Sequence, residues 1–175
     1  ANIDGFLSAN GHSGGNRSAA GGSVYLTAST LSGSGTISAN GADASNASGG
    51  GRAAVRLTGG NFDAFDASGG TILALGGNRI QAAPGTVARI AGSREVIIDA
   101  GNRSTSTDTT LPPTFSGNSN YPAATYGFSD NLANATLILT NDAEMLLTAD
   151  MKVARLIFPS LQESLDLGEP GDTLE

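Results

Sequence analysis

Cysteine is absent from the 175-residue chain, and histidine occurs once, as His12. The first absence excludes disulfides and thiolate metal sites, and the second excludes a site with several histidine ligands. His12 lies in the turn-rich stretch 10–15, where an exposed loop residue is expected rather than a catalytic base. A Ser-His-Asp triad would have to be built around this one side chain. We therefore predict no catalytic residue, no metal and no cofactor.

Large side chains are also scarce. Tryptophan is absent, and the aromatic residues are three tyrosines and six phenylalanines, whereas the chain has 25 glycines. No run approaches the roughly 18 consecutive apolar residues of a membrane helix, so we predict no direct membrane insertion. Valine, isoleucine and leucine are nevertheless spread along the whole sequence. The chain therefore has apolar surface to bury and is not disordered.

Positive charge is missing from the second half. Residues 1–100 hold six acids and six arginines, whereas residues 101–175 hold ten acids against two arginines and one lysine, and the net charge is −7. Nucleic acids and anionic membranes are bound through basic surfaces. We therefore predict that neither is a partner.

A repeated phrase organises the first hundred residues. The segment 6–11 matches 36–41 at a shift of about 30 residues, a period typical of repeat architectures. A weaker third copy begins at Phe65, which predicts that Ile37 points into a core with Leu7 and Phe65 stacked on either side. The phrase SGSGTISANG at 32–41 resembles a nucleotide-binding glycine loop, but the helix that such a loop requires does not follow.

Each copy leads into a second strand-like segment, at 22–27, 53–58 and 85–90. Apolar residues alternate in these segments, and no part of residues 1–100 shows sustained helical spacing. A two-strand unit with so little bulk buries its apolar face only by stacking on its neighbours. The sequence thus predicts an all-β fold of the β-solenoid type. Arg89 departs from the pattern, because an apolar residue is expected there.

Four further apolar runs, at 136–140, 144–148, 153–158 and 164–167, predict strands in the second half. An alternative for the second run is a helix over 142–151, with Asn141 as its N-cap and Glu144 as the partner in a capping box.

Residues 101–131 interrupt the strand rhythm with a long segment rich in serine, threonine and proline. Long loops in compact domains are usually functional or mobile. This one contains four aromatic residues: Phe115, Tyr121, Tyr126 and Phe128. They would either cover an apolar face of the solenoid, which we favour, or present rings to a glycan or a protein.

Segment 21–55 resembles glycine-rich β-helical repeats of large secreted or surface-anchored bacterial proteins, and 85–102 resembles the segment that follows those repeats. Segment 135–168 resembles the threonine- and leucine-rich coils of autotransporter-like passengers and other adhesins. The resemblance implies a right-handed parallel β-helix that serves as a stalk, an adhesin shaft or a matrix component, at the cell surface or outside the cell. It carries no shared catalytic motif. The partners it implies are a surface glycan or protein receptor, and neighbouring coils of the same larger protein or a second copy.

The composition along the chain predicts a single β-solenoid domain with four parts. Glycine-rich coils occupy 1–100, the insertion occupies 101–131, coils rich in threonine and leucine occupy 132–168, and a tail or cap occupies 169–175. The chain is expected to be a fragment of a longer protein.

Two alternatives to the structural role remain. One is a glycan-binding module that uses the aromatic loop 115–128. The other is a carbohydrate-active β-helix enzyme, a lyase or glycosidase, in which Asp63 and Asp66 pair with Asp43 or Asp99 from neighbouring turns. A solenoid brings residues about one repeat apart into register, so this alternative predicts that these carboxylates lie close together.

Overall fold

Short runs of alternating apolar and polar residues, bounded by glycine, form the strands. The computed structural model describes residues 1–15, 17–44, 48–78, 82–102, 109–110, 132–146, 152–159 and 164–166. Its strands are β1 (Phe6–Ser8), β2 (Ser13–Gly14), β3 (Arg17–Ser18), β4 (Ser23–Ala28), β5 (Thr36–Ser38), β6 (Arg52–Leu57), β7 (Thr71–Leu73), β8 (Thr86–Ala91), β9 (Ser93–Asp99), β10 (Thr109–Thr110), β11 (Ala135–Thr140), β12 (Glu144–Leu146), β13 (Arg155–Ile157) and β14 (Ser164–Asp166). A short helix, α1 (Asp63–Ala67), and a 3-10 turn (Leu132–Asn134) accompany them. The described part of the chain is therefore β-rich, as the sequence predicts.

Equivalent strands of successive repeats pair side by side and parallel. Strand β5 lies between β1 and β7, so that Ile37 has Leu7 on one side and Ile72 on the other. Strand β6 lies between β4 and β8, so that Val55 has Leu26 and Arg89 as neighbours. The described strands form four separate sheets, of which the largest has the order β13-β11-β9-β8-β6-β4.

The third copy of the repeat begins later than the sequence comparison predicts. The prediction that Phe65 stacks beside Ile37 is wrong, because the strand partner of Ile37 on that side is Ile72. Phe65 lies instead in α1, whose five residues are too few to show a helical period. Its ring is fully buried in the same core as Ile37, so it fills the interior from a different element.

A hairpin divides the six-stranded sheet into two halves. Strands β8 and β9 pair antiparallel around Gly92, whose φ of 76° favours glycine. On one side of the hairpin β4, β6 and β8 are parallel, and on the other β9, β11 and β13 are parallel. The direction of the strands therefore reverses once within this sheet.

The two halves bury opposite faces of the same sheet. Residues opposed across an antiparallel pair have side chains on one face. Val87 lies opposite Ile97, and Ala88 lies opposite Val96. Val87 is buried in a core formed by the first half, whereas Val96 is buried in a core formed by the second. The face that the first half buries is consequently the outer face of the second half.

Two apolar cores result. The first core consists of two adjoining clusters and contains Val24, Leu31, Ile37, Val55, Leu57, Phe62 and Phe65, with Ala39, Ala53, Ala74 and Val87. The second core contains Val96, Ile98, Ala100, Leu132, Ala135, Leu137, Leu139, Ala143 and Met145. Each fully buried large aliphatic or aromatic side chain contributes about 1.5–3 kcal/mol. These cores are therefore the main stabilising contribution in the described residues.

Glycine allows two backbone segments of each repeat to touch. Three glycines donate amide hydrogen bonds to alanine carbonyls at 2.6 to 2.7 Å: Gly22 to Ala9, Gly51 to Ala39 and Gly85 to Ala74. A Cβ atom on Gly51 would lie 1.9 Å from the carbonyl oxygen of Gly22 in the neighbouring repeat. The close approach of Gly51 to Gly22 in the neighbouring repeat therefore requires glycine at position 51. Such contacts account for part of the unusual composition.

The apolar runs of the second half form strands where the structure describes them. Strand β12 pairs with β10 on one side and β14 on the other, both parallel. The alternative helix over 142–151 is not formed at its described beginning, because Asn141 and Asp142 have φ of 57° and 65° and Glu144 begins β12. Positive φ lies outside the right-handed helical region.

Little of the predicted insertion 101–131 is described. Its described residues are 101–102, which form a turn, and 109–110, which form β10. The predicted tail, 169–175, lies outside the described residues, and the division into four parts remains a prediction.

Candidate interaction surface

The predicted ligand-binding loop cannot be located on the fold. Phe115, Tyr121, Tyr126 and Phe128 all lie outside the described residues. Their role in a glycan-binding or protein-binding site remains a prediction from the sequence.

The four carboxylates considered for catalysis have different neighbours. Asp43 accepts a hydrogen bond from the backbone amide of Asn78, and Asp63 accepts one from the side chain of Asn61. Asp66 forms an ion pair with Arg89. Asp99 accepts hydrogen bonds from the backbone amide of Gly101 and from the side chain of Asn141. Asp63 and Asp66 share α1, whereas Asp99 ends β9 in the other half of the sheet. No group of three or more histidine, cysteine, aspartate or glutamate side chains in the described residues is arranged to hold a metal ion.

His12 is an exposed loop residue directly before β2, as the sequence predicts. Its backbone carbonyl accepts a hydrogen bond from the amide of Ala19 at 3.1 Å, which closes the hairpin of β2 and β3.

Arg89 occupies a core position at the boundary between the two halves. It lies in register with Val55, which is fully buried, and its guanidinium lies 4.4 Å from the centre of the Phe62 ring. It forms an ion pair with Asp66, and its Nε lies 3.9 Å from a carboxylate oxygen of Glu95. The aliphatic stem covers the end of the first core, and the charge reaches carboxylates at its rim.

The most distinctive surface is the outer face of β4, β6 and β8, which we call the arginine–tyrosine face. Its residues are Ser23, Tyr25 and Thr27 from β4, Arg52, Ala54 and Arg56 from β6, and Thr86, Ala88 and Ile90 from β8. They alternate with the buried residues of the first core. The register places Tyr25, Ala54 and Ala88 in one row across the three strands.

Tyr25 is the most exposed residue of this row, with 68% of its surface accessible. Register partners on neighbouring strands are about 4.8 Å apart, and residues two apart on one strand are about 6.6 Å apart. Arg52 and Arg56 therefore lie diagonally to Tyr25, one on each side of Ala54. The other two residues of that row, Ala54 and Ala88, have small side chains that do not shield the tyrosine ring from solvent.

Sequence reasoning named neither Tyr25 nor the two arginines as candidates. The available signal was the alternation in Ser23–Ala28 and Arg52–Leu57, which assigns Tyr25, Arg52 and Arg56 to the outer face. That signal lacks the register between the strands, which decides whether the three side chains are neighbours.

No model of a protein family, no curated protein and no solved structure matches this chain. No helix in the described residues is long and apolar enough to cross a membrane.

Proposed function

We propose that the chain is a non-enzymatic structural and adhesive module of a larger extracellular bacterial protein, built as a right-handed parallel β-helix. The parallel pairing of β1, β5 and β7, and of β4, β6 and β8, supports this architecture for the first half. Connections between parallel strands of one sheet are right-handed in nearly all proteins. The hairpin at Gly92 reverses the strand direction, so in this proposal the segments before and after it are separate β-helical stretches.

The observation that carries the proposal is a ladder of polar side chains that joins one repeat to the next. The side-chain oxygen of Asn10 accepts a hydrogen bond of 2.8 Å from the backbone amide of Asn40, 30 residues away. The side-chain oxygen of Asn40 in turn accepts a hydrogen bond, also of 2.8 Å, from the backbone amide of Leu75, 35 residues away. These bonds fix the register of the stack, which is the property that a structural module requires.

The ends of the sheets support the association with neighbouring coils. Strands β1 and β4, both from the first repeat, are edge strands of their sheets. Phe6 on β1 is 87% exposed. An unpaired edge with exposed apolar residues is a template for another strand. A preceding coil or a second copy of the chain would cover it.

Force spectroscopy on the full chain, held by handles at its two ends, tests the mechanical role. A stack of repeats held by nearest-neighbour contacts is expected to unfold in steps of about one repeat, each releasing about 100 Å of extended chain. Asn40→Ala is expected to lower the force of one step, whereas Asn40→Asp keeps an acceptor for Leu75 and is expected to lower it less.

Unfolding of the whole chain in one event, or equal forces for the two variants, would contradict the proposal. A separate assay addresses catalysis: the chain is incubated with uronate polysaccharides, and the polymer length is followed by size-exclusion chromatography. Shortening of the polymer would contradict a non-enzymatic role.

A further inference from the structure

The arginine–tyrosine face combines an exposed ring with positive charge and contains no acidic residue at its nine positions. Across the hairpin, Arg94 lies opposite Ile90 of β8, on the same side of the sheet as this face. Glu95 lies opposite Arg89 and therefore belongs to the other side. The face itself therefore carries positive charge, in a chain whose net charge is −7.

The geometry suits a flat polymer that carries carboxylates at intervals. Arg52 and Arg56 lie on one strand four residues apart, which corresponds to about 13 Å along β6. Tyr25 lies beside the midpoint between them, because its register partner is Ala54. Guanidinium groups bind carboxylates through two parallel hydrogen bonds, and a tyrosine ring stacks on the apolar face of a sugar.

We propose that the arginine–tyrosine face binds an acidic polysaccharide, a chain of sugars that carry carboxylate groups. Tyr25 stacks on one sugar ring above the surface formed by Ala54 and Ala88. Arg56, which is exposed, pairs with a carboxylate of an adjoining sugar. The other residues of the face, Ser23, Thr27 and Thr86, supply hydroxyl groups for hydrogen bonds to sugar hydroxyls.

Nucleic acid fits this surface less well. Stable binding of a nucleic acid requires the neutralisation of many phosphates, and the acidic remainder of the chain repels a long polyanion of high charge density. A uronate polymer has a lower charge density, and its sugar rings offer the apolar faces that a single exposed tyrosine can contact.

This inference names a ligand class for the adhesive role proposed above. It rests on the proposed function for that role and not for the structural role. The structural role is measured by force spectroscopy, whereas the ligand is measured by binding, so the two fail separately. A chain that unfolds repeat by repeat but does not bind polyuronate would overturn the inference and leave the structural proposal intact.

The experiment measures binding of the full chain to de-esterified polygalacturonate by isothermal titration calorimetry. The variants are Tyr25→Ala and Arg56→Ala, and the matched control is Arg17→Ala, an exposed arginine on β3 outside this face. We expect each face variant to weaken binding at least tenfold and the control to leave it unchanged. Circular dichroism verifies that all three variants keep the strand content of the parent.

Tyr25→Phe provides a second test, because it keeps the stacking ring and is expected to retain most of the affinity. Methyl-esterified polygalacturonate and dextran, which lack the charge, are expected to bind at least tenfold more weakly. Equal binding to these neutral polymers, unchanged binding by Tyr25→Ala and Arg56→Ala, or tighter binding to double-stranded DNA at the same salt concentration would each overturn the inference.

Discussion

The guanidinium of Arg89 lies over the ring of Phe62, 4.4 Å from its centre, at the position where strand alternation places a core residue. The side chain of Arg89 is only 21% exposed. It reaches from β8 across the end of the first core to Asp66 on α1. One residue thus connects the sheet, the helix and the hairpin at which the buried face changes sides.

We predict that Arg89→Ala lowers the free energy of unfolding by about 1–2 kcal/mol. The loss comes from the contact with Phe62 and from the buried stem. The ion pairs add little, because Asp66 and Glu95 are 46% and 41% exposed and solvent screens them. Urea unfolding followed by circular dichroism measures the difference.

Arg89→Lys separates the components of this contact. It keeps the charge and most of the stem but loses the planar group over Phe62. We expect it to lie between the parent and Arg89→Ala in stability, and Arg17→Ala to match the parent. If Arg89→Ala unfolds at the same urea concentration as Arg17→Ala, the packing over Phe62 does not stabilise the core.

Two glycines predict contrasting effects of the same substitution. A Cβ on Gly51 would lie 1.9 Å from a backbone oxygen of the adjacent repeat, whereas a Cβ on Gly92 meets no atom within 4 Å. Gly92 has a positive φ, so its substitution strains only the local backbone. We expect Gly92→Ala to cost about 1–2 kcal/mol and Gly51→Ala to cost more than about 4 kcal/mol or to abolish folding.

Soluble yield and thermal unfolding of the two variants measure this difference. The comparison is internal, because both variants add one methyl group to a glycine. Comparable stability would show that the backbones of neighbouring repeats are not in contact at Gly51.

The inward and outward faces of the strands and the register of β1 with β5 were predictable from the sequence, but the register of β4 with β6 was not. The segments 22–27 and 53–58, aligned from their first residues, would place Val24 beside Val55, whereas the structure places Leu26 there. The error is two residues, which leaves every side chain on its predicted face, because side chains alternate with a period of two. A valine and a leucine satisfy the same apolar row, so composition does not distinguish the two registers.

The change of buried face at Gly92 was not predictable either. Gly92 is one of 25 glycines, and the pair Gly92-Ser93, which suits a hairpin turn, also occurs at 22–23 and 33–34. Arg89 was recognised as an exception to the apolar pattern, but the pattern does not reveal its partners. Phe62 and Asp66 contact it because a five-residue helix, invisible to periodicity, places them there.

The register of the third repeat predicts which cysteine pair can be joined. Thr36 and Thr71 are strand neighbours with side-chain oxygens 3.1 Å apart, whereas the sequence comparison places Ala64 in that position. Adjacent strands are separated by about 4.8 Å, within the Cα range of a disulfide. The chain has no cysteine, so two introduced thiols react only with each other.

We expect Thr36→Cys with Thr71→Cys to form an intramolecular disulfide on mild oxidation, and Thr36→Cys with Ala64→Cys to keep both thiols. Titration of free thiols in the monomeric protein measures the outcome. Oxidation of the Ala64 pair but not of the Thr71 pair would restore the register inferred from the sequence and place α1, rather than β7, beside β5.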